Sequence, residues 1–407
     1  MLKITTIRIT LLITAAVSLI TGSVFLTAKK TDERLYLNEL VPGQVFSDKK
    51  GNPPRYEAGS GISVFNSYDI TPEIRGYAGP IKLLLALNSQ GKISGMKIVE
   101  HSETPNYVHY MLSSDYLKQF TGKRIDDPFE IDRDIDGISR ATESVQALTR
   151  TVRTSSRAFA SQVYGLTVKG EGAGRQYGAG WLLYALLFLT ALTFYYLTRK
   201  SGALLRIRDA SLIMGFVIIG IYLATPFSIL HILNLLLLRI SSSLLWYIIV
   251  GSTLLSLAIA GRFYCGWLCP FGALAEFAGR LPFRKWRVSN ENDERWRTVK
   301  YILLLLIIAI ALTGRHTDYV NFETYVTLFS FHGSIPAWLL VAVMLLINIR
   351  VKRFWCRYLC PVAAFAGLLS RQDHRYTSRH DCPMGNSPNP HTSECIRCNR
   401  CYTGVRD

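Results

Sequence analysis

Arg262-Phe-Tyr-Cys265-Gly-Trp-Leu-Cys269-Pro270-Phe-Gly-Ala273 recurs later in the chain as Arg353-Phe-Trp-Cys356-Arg-Tyr-Leu-Cys360-Pro361-Val-Ala-Ala364. Each copy is a C-x3-C-P box directly after a long apolar run. Residues four apart on a helix share a face, so each box is expected to aim two thiols at one point. The repeat supplies four thiols in all. Soft thiolates in fours are the ligand set of zinc or of iron–sulfur centres. In a membrane setting zinc has little structural work to do, and the pattern points to electron movement.

The flanking sequence supports that setting. The chain has 407 residues, of which 49% are hydrophobic, and a mean hydropathy of +0.19. Six apolar runs approach the roughly 20 residues a helix needs to cross a hydrocarbon core: 9–28, 179–198, 210–229, 243–261, 299–314 and 335–350. The first is read as an uncleaved anchor, because Lys29 and Lys30 follow it where a signal peptidase would want small residues.

Formal charge is +17, and its placement matters more than its size. Arg199, Lys200, Arg206 and Arg208 lie in one interspan segment; Arg280, Arg284, Lys285 and Arg287 lie in another. The alternate loops hold chiefly Arg239 and Arg315. By the positive-inside rule, the boxes and the C-terminal tail are cytoplasmic and residues 29–178 are outside. Basic residues gathered at membrane edges argue against a nucleic-acid surface; membrane lipid is the expected contact. All eight cysteines fall on the expected cytoplasmic side, where spaced cysteines serve as ligands or redox centres more often than as bridges.

The chain thus reads as an α-helical polytopic membrane protein of about six spans, with an inserted extracytoplasmic α+β domain and a short cytoplasmic ferredoxin-like tail. The expected divisions are an anchor (1–28), an outer domain (29–178), a five-span domain carrying the boxes (179–370) and the tail (371–407). In the outer domain, Ile81–Leu87 and Ile93–Glu100 are strand-like and are joined by a glycine-containing turn at 88–92. Helices are expected near Ser113–Phe120 and Ser144–Ala160.

Between those helices sits Asp136-Gly-Ile-Ser139-Arg140-Ala141-Thr142-Glu-Ser144. On its own, Ser139–Thr142 could simply cap the following helix. The stretch nevertheless resembles the FMN-binding domain shared by NosR/NirI proteins and by subunits of sodium-pumping quinone reductases and Rnf complexes. Members carry D-x-x-S-G-A-T-x-S/T, with FMN joined through its phosphate to the threonine. The resemblance implies a phosphoester on Thr142, flanked by Ser139, Arg140 and Ala141. Upstream, Gly76-Tyr77-Ala78-Gly79-Pro80-Ile81 and Glu100-His101-Ser102-Glu103-Thr104-Pro105 look like the family's G-Y-x-G-P-I and E-H-x-E-T-P segments, which brings Gly79, Glu103 and Thr104 into the implied site. Arg140 replaces the usual glycine; its guanidinium suits a phosphate.

The tail reads Cys382-Pro383, then Glu394-Cys395-Ile-Arg-Cys398-Asn-Arg-Cys401. C-x2-C-x2-C is a ferredoxin run whose fourth ligand is a distant cysteine before proline. Cys382, Cys395, Cys398 and Cys401 are therefore expected to hold one [4Fe–4S] cluster, with a zinc ribbon the weaker alternative. For Cys265, Cys269, Cys356 and Cys360 the spacing leaves a shared metal or iron–sulfur centre, two redox dithiols and inert buried cysteines all open. Tryptophans and tyrosines near span ends read as an interfacial belt, and His231, His316 and His332 as interfacial histidines.

The whole layout resembles the NosR/NirI group of membrane flavo-iron–sulfur proteins, its compact PceC/RdhC-like branch or a short NosR-like form. The resemblance implies an electron-transfer component, not a stand-alone enzyme, in the bacterial cytoplasmic membrane. It would link a cytoplasmic or membrane donor, with quinol a candidate, to an extracytoplasmic reductase, as in nitrous oxide or organohalide respiration. A flavin transferase would be a partner. The alternatives are a redox-sensing transcriptional regulator and a maturation factor for a periplasmic metalloenzyme.

Overall fold

The computed structural model describes residues 10, 13–14, 17, 32–77, 79–101, 103, 108–138, 141–168, 179–200, 205–237, 241, 243–286, 288–314, 323–370, 382–385 and 394–402. Most of the expected anchor, together with Thr104, Ser139, Arg140 and His316, lies outside these residues. The chain divides into two compact units, one of Ala28–Gly178 with Asn234–Trp246, the other of Met1–Thr27, Ala179–Leu233 and Tyr247–Asp407.

The first unit is built on an antiparallel meander of β1 (Arg55–Glu57), β2 (Ile62–Asn66), β3 (Ile81–Asn88) and β4 (Ile93–His101), paired in chain order. The expected hairpin is β3–β4, with Leu84 opposite Lys97 and Leu85 opposite Met96. Its turn is held by the Asn88 side chain, whose Oδ1 accepts from the backbone N–H of Gln90 (3.0 Å) and Lys92 (2.9 Å).

Successive strand residues face opposite ways, and both faces of this sheet are covered. Leu83, Leu85 and Leu87 pack with Val145, Leu148, Val152 and Phe159 of the 23-residue helix Thr142–Tyr164. Leu84, Ala86 and Val64 pack with Leu37 and Leu40 of the helix Arg34–Leu40. Double coverage explains why β3 reads as a nearly continuous apolar run.

The second unit is helical. Two helices are long and apolar enough to cross a membrane, Gly180–Lys200 and Asn290–Thr313; Thr324–Ser330 and Ile335–Arg350 form a third candidate as a pair bent by 108°. Leu244–Ala260 is apolar but shorter. Of the about six expected spans, two or three thus stand as candidates among the described residues; the run 9–28 lies mostly outside them. The run 210–229 is the clearest departure. An α-helix (Leu205–Gly215) becomes a π-helix (Phe216–Tyr222) and then opens, with Ala224 at φ 50°, before a new helix begins at Ile229. Pro226 lies in that opening; it lacks a backbone N–H and disfavours helix in the residue before it.

Candidate functional site

In the motif at 136–144, Thr142 is exposed and opens the helix Thr142–Tyr164; buried Ala141 is its N-cap residue. Two residues on, buried Ser144 donates its hydroxyl to Glu103 Oε2 at 2.6 Å. Glu103 is only 2% exposed, and its other oxygen occupies the space where Gly76 lacks a side chain. A Cβ on Gly76 would lie 2.1 Å from Glu103 Oε1. The Gly76 N–H donates to the Gly79 carbonyl at 2.5 Å. The structure therefore brings together Gly79, Glu103, Ala141 and Thr142 from three separated segments.

The connection at 234–246 belongs to this same unit. Ser241 donates its hydroxyl to the Tyr77 carbonyl at 2.6 Å. Burial raises the Glu143 carboxyl above its ordinary range. The glycine-rich turn and the threonine helix are thus held within one packed neighbourhood, while Thr142 itself stays accessible. An exposed hydroxyl at the first turn of a long helix suits a phosphoester, since free N–H groups and the helix dipole favour phosphate there.

The two boxes fold alike. Phe263–Trp267 and Phe354–Tyr358 are short helices, each followed by a leucine that leaves helical geometry. Cys269 and Cys360 then cap the next helices, Pro270–Ala278 and Pro361–Leu369, with proline at the first position. The cap thiols accept from the backbone N–H of Gly272 (3.3 Å) and Ala363 (3.4 Å). The two cysteines of a box are not on one continuous helix, which corrects the expectation from four-residue spacing. The break before proline makes the second thiol a cap. All four cysteines still line one cavity, together with Tyr264, Phe271 and Tyr325.

The arginines that open the boxes have diverged in role. Arg353 donates to the Cys265 carbonyl (2.9 Å) and to Glu276 Oε2 (2.6 Å), tying the second box to the first. Arg262 instead reaches Glu394 of the tail (3.2 Å). Glu394 also accepts from Lys300 (2.6 Å), Arg297 (3.4 Å) and Tyr301 (2.9 Å). Burial alone would raise its pKa, but Lys300, Arg262 and Arg297 hold it down at about 2.

The tail cysteines are gathered too. Burial, followed by the charges of Cys398, Cys395 and Cys401, pushes the Cys382 thiol up to about 12. Like-charge crowding of this kind is what a bound metal relieves.

Among the described residues, no three His, Cys, Asp or Glu side chains converge on one point as a single ion demands. Zinc would hold its thiolates about 2.3 Å away, whereas a four-iron cluster spreads its ligands around a larger body. All-sulfur donor sets of four are of the kind that an iron–sulfur cluster takes. Beside the boxes, Arg353 and Arg357 each keep a buried Nε–H without a protein acceptor, donors suited to a negatively charged centre.

Glu276, Asp293, Lys300 and Glu394 were not legible as site residues. The one available signal was Glu276, a single acid within the apolar Pro270–Ala278 helix.

Comparison with known families now adds identity to this geometry. The FMN-binding domain family matches residues 76–156. A 4Fe–4S binding domain family matches residues 242–289 and 331–376. The second match falls on the two boxes, whose occupant the spacing had left open; the tail cysteines lie outside both matches. The chain is 32% identical over 215 residues to "Regulatory protein NosR" of Pseudomonas aeruginosa, covering 47% of this chain and 29% of that protein. It is 28% identical over 267 residues to "Protein NirI" of Paracoccus denitrificans, covering 55% and 38%. It is 29% identical over 167 residues to "Putative electron transport protein YccM" of Escherichia coli, covering 38% and 43%. The aligned region thus spans less than half the length of each of these relatives. No solved structure matches the chain. Flavin and iron–sulfur domains on one chain imply electron transfer, and the protein is a distant homologue of the NosR/NirI type that joins an FMN-binding domain to a 4Fe–4S binding domain.

Proposed function

We propose that this protein carries electrons from a cytoplasmic or membrane donor to an extracytoplasmic reductase, through iron–sulfur centres and an FMN joined by phosphoester to Thr142. The observation that carries the reading is the presence of FMN-binding and 4Fe–4S binding domains in a chain with apolar membrane-length helices. When bound, these groups supply one-electron chemistry. Cys382, Cys395, Cys398 and Cys401 hold one [4Fe–4S] cluster; Cys265, Cys269, Cys356 and Cys360 hold a second.

Gly76, Gly79, Glu103 and Ser144 fix the loops around the flavin-bearing threonine, and Thr142 stays exposed so that a flavin transferase can reach it. The domain of residues 29–178 faces outward and the tail faces the cytoplasm. A quinone completes the path between cysteines and flavin. The physiological setting is a bacterial respiratory chain such as nitrous oxide or organohalide reduction.

The test is reduction of the flavin in protein purified anaerobically and placed in vesicles, with a low-potential donor supplied on the tail side. Flavin bleaching should occur in the wild type and fail in Cys360→Ser. Bleaching at the same rate in both would overturn the route. A regulatory reading draws support from the name of the NosR relatives. In the producing organism, Thr142→Ala separates the readings. Electron transfer predicts lost reductase activity at unchanged transcript and unchanged metal content of the reductase. A regulator predicts altered transcript, and a maturation factor predicts a metal-poor reductase.

A further inference from the structure

The segment Cys265-Gly266-Trp267 stands in two neighbourhoods at once. Cys265 lines the cavity of the four box thiols. It also packs against the small apolar cluster of Met384, Ile396 and Cys398, together with Cys382. One residue on, Gly266 meets the tail backbone directly. A Cβ there would lie 2.0 Å from the Ile396 carbonyl oxygen and 3.1 Å from its carbon. That obstacle is main chain between two cluster cysteines, and it has no rotamer through which to yield. Trp267 then donates its indole N–H to the Arg397 carbonyl at 2.9 Å.

The other side of the segment is fixed as firmly. The Cys265 carbonyl accepts from Arg353 (2.9 Å), the Gly266 carbonyl from Arg208 (3.1 Å) and the Trp267 carbonyl from Ser211 (3.1 Å). Both arginines are in turn held by Glu276, Arg208 through two bonds of 2.7 Å and Arg353 through one of 2.6 Å. Three successive carbonyls are thus pinned from one side while the opposite side presses on the tail. Ordinary helix ends leave such carbonyls to water or to local bonds.

We propose that the tail and box cysteine sets form one directly coupled pair of metal centres, joined through Cys265–Trp267, with Gly266 as the positioning residue that permits their contact. The inference rests on the reading that both sets hold iron–sulfur clusters. One electron leaves one centre and enters the other. One centre is oxidised and the other reduced, and no bond or proton needs to move. The glycine sets the separation: any side chain at 266 must push Ile396, and with it Cys395 and Cys398, away from Cys265.

The experiment is EPR of the full chain, purified anaerobically and fully reduced with dithionite, alongside iron analysis. At about eight irons per chain, the wild type should give a broadened, fast-relaxing interaction spectrum. Cys398→Ala and Cys269→Ser supply the narrow spectra of each centre alone. Gly266→Ala should retain its iron and lose the interaction. Trp267→Phe keeps the ring and loses only the Arg397 bond; it should narrow the spectrum without loss of iron, and it serves as the second variant where Gly266→Ala does not fold. A wild-type spectrum equal to the sum of the two isolated centres, at full iron, would overturn the coupling. About four irons per chain would instead overturn the two-cluster reading beneath it.

Discussion

Replacing Glu394 with glutamine removes one charge from the middle of a buried cationic group. Its carboxylate takes bonds from Lys300, Arg262, Arg297 and Tyr301, and the side chains of Lys300 and Arg262 are fully buried. Arg297 keeps Asp293 as a partner, and Lys300 keeps the Arg357 carbonyl. The loss therefore falls mainly on the ion pairs of Lys300 and Arg262. Removing one partner of a buried ion pair costs about 3–5 kcal/mol. That corresponds to an opening equilibrium of the tail at least roughly a hundredfold larger.

Trypsin reports this opening, since Arg397 is buried and is cut only when the tail detaches; under fast reclosing the cleavage rate follows the open population. Glu394→Gln should be cleaved at Arg397 roughly a hundredfold faster than wild type. Adding Lys300→Met should recover part of that loss, because the second change removes a stranded charge. Wild-type cleavage rates in Glu394→Gln would refute the reasoning. So would losses in the double variant that add within about 0.5 kcal/mol, which is the behaviour of independent sites.

Thr142→Ala should abolish the yellow fluorescent band that covalent flavin leaves in a denaturing gel, with iron unchanged; mass spectrometry of the Ala141–Glu143 peptide checks the wild type. Gly76→Ala should lower flavin content, because the new Cβ would meet Glu103 Oε1 at 2.1 Å; the flavin-to-protein absorbance ratio reads this. The paired change Cys265→Ser/Cys269→Ser should remove about four irons, and full iron in that variant would show the boxes to be structural. The sheet-bearing unit should also be acid-sensitive through Glu33. Burial raises its pKa, but hydrogen bonds from Lys49, Asn66 and Tyr56 win and leave it below the ordinary 4.5. A depressed carboxylate pKa contributes stability above pH 4.5 that is lost as pH falls through the folded value. Glu33→Gln should flatten that loss in an acid titration followed by circular dichroism.

The sequence made some layers of this protein readable and hid others. The β3–β4 hairpin was legible because Asn88 and Gly91 punctuate two apolar runs, and the helix at Thr142 because its apolar residues recur on one face. β1 and β2 were not, at three and five residues, since strands so short carry little periodicity. The box cysteines announced themselves by repetition. Their backbone was legible in part: a spacing of four suits a continuous helix, but Pro270 and Pro361 disfavour helix at the cysteine before them, and the chain breaks there. In the run 210–229, hydropathy averaged over Pro226 and concealed a break. The buried carboxylates Asp293 and Glu394 were invisible because a lone acid beside arginines reads as surface charge until the fold encloses it. Thr104, Ser139 and Arg140 lie outside the described residues.

The docking of the tail bears on how a donor would have to behave on the proposed route. A ferredoxin module on a loose tether works by carrying its cluster to its partners, and almost any approach will do. Here the Ile396 and Arg397 carbonyls face Gly266 and Trp267, Asn399 donates to the Tyr195 carbonyl and the Thr198 hydroxyl, and Arg199 lies over the Tyr402 ring. Residues 394–402 are thus held in place against the helices Gly180–Lys200 and Phe263–Trp267. On the proposed electron route, a carrier feeding the tail would have to bring its reducing end to a fixed site in a set orientation, so fit at that site and not the reach of a leash would discriminate among carriers.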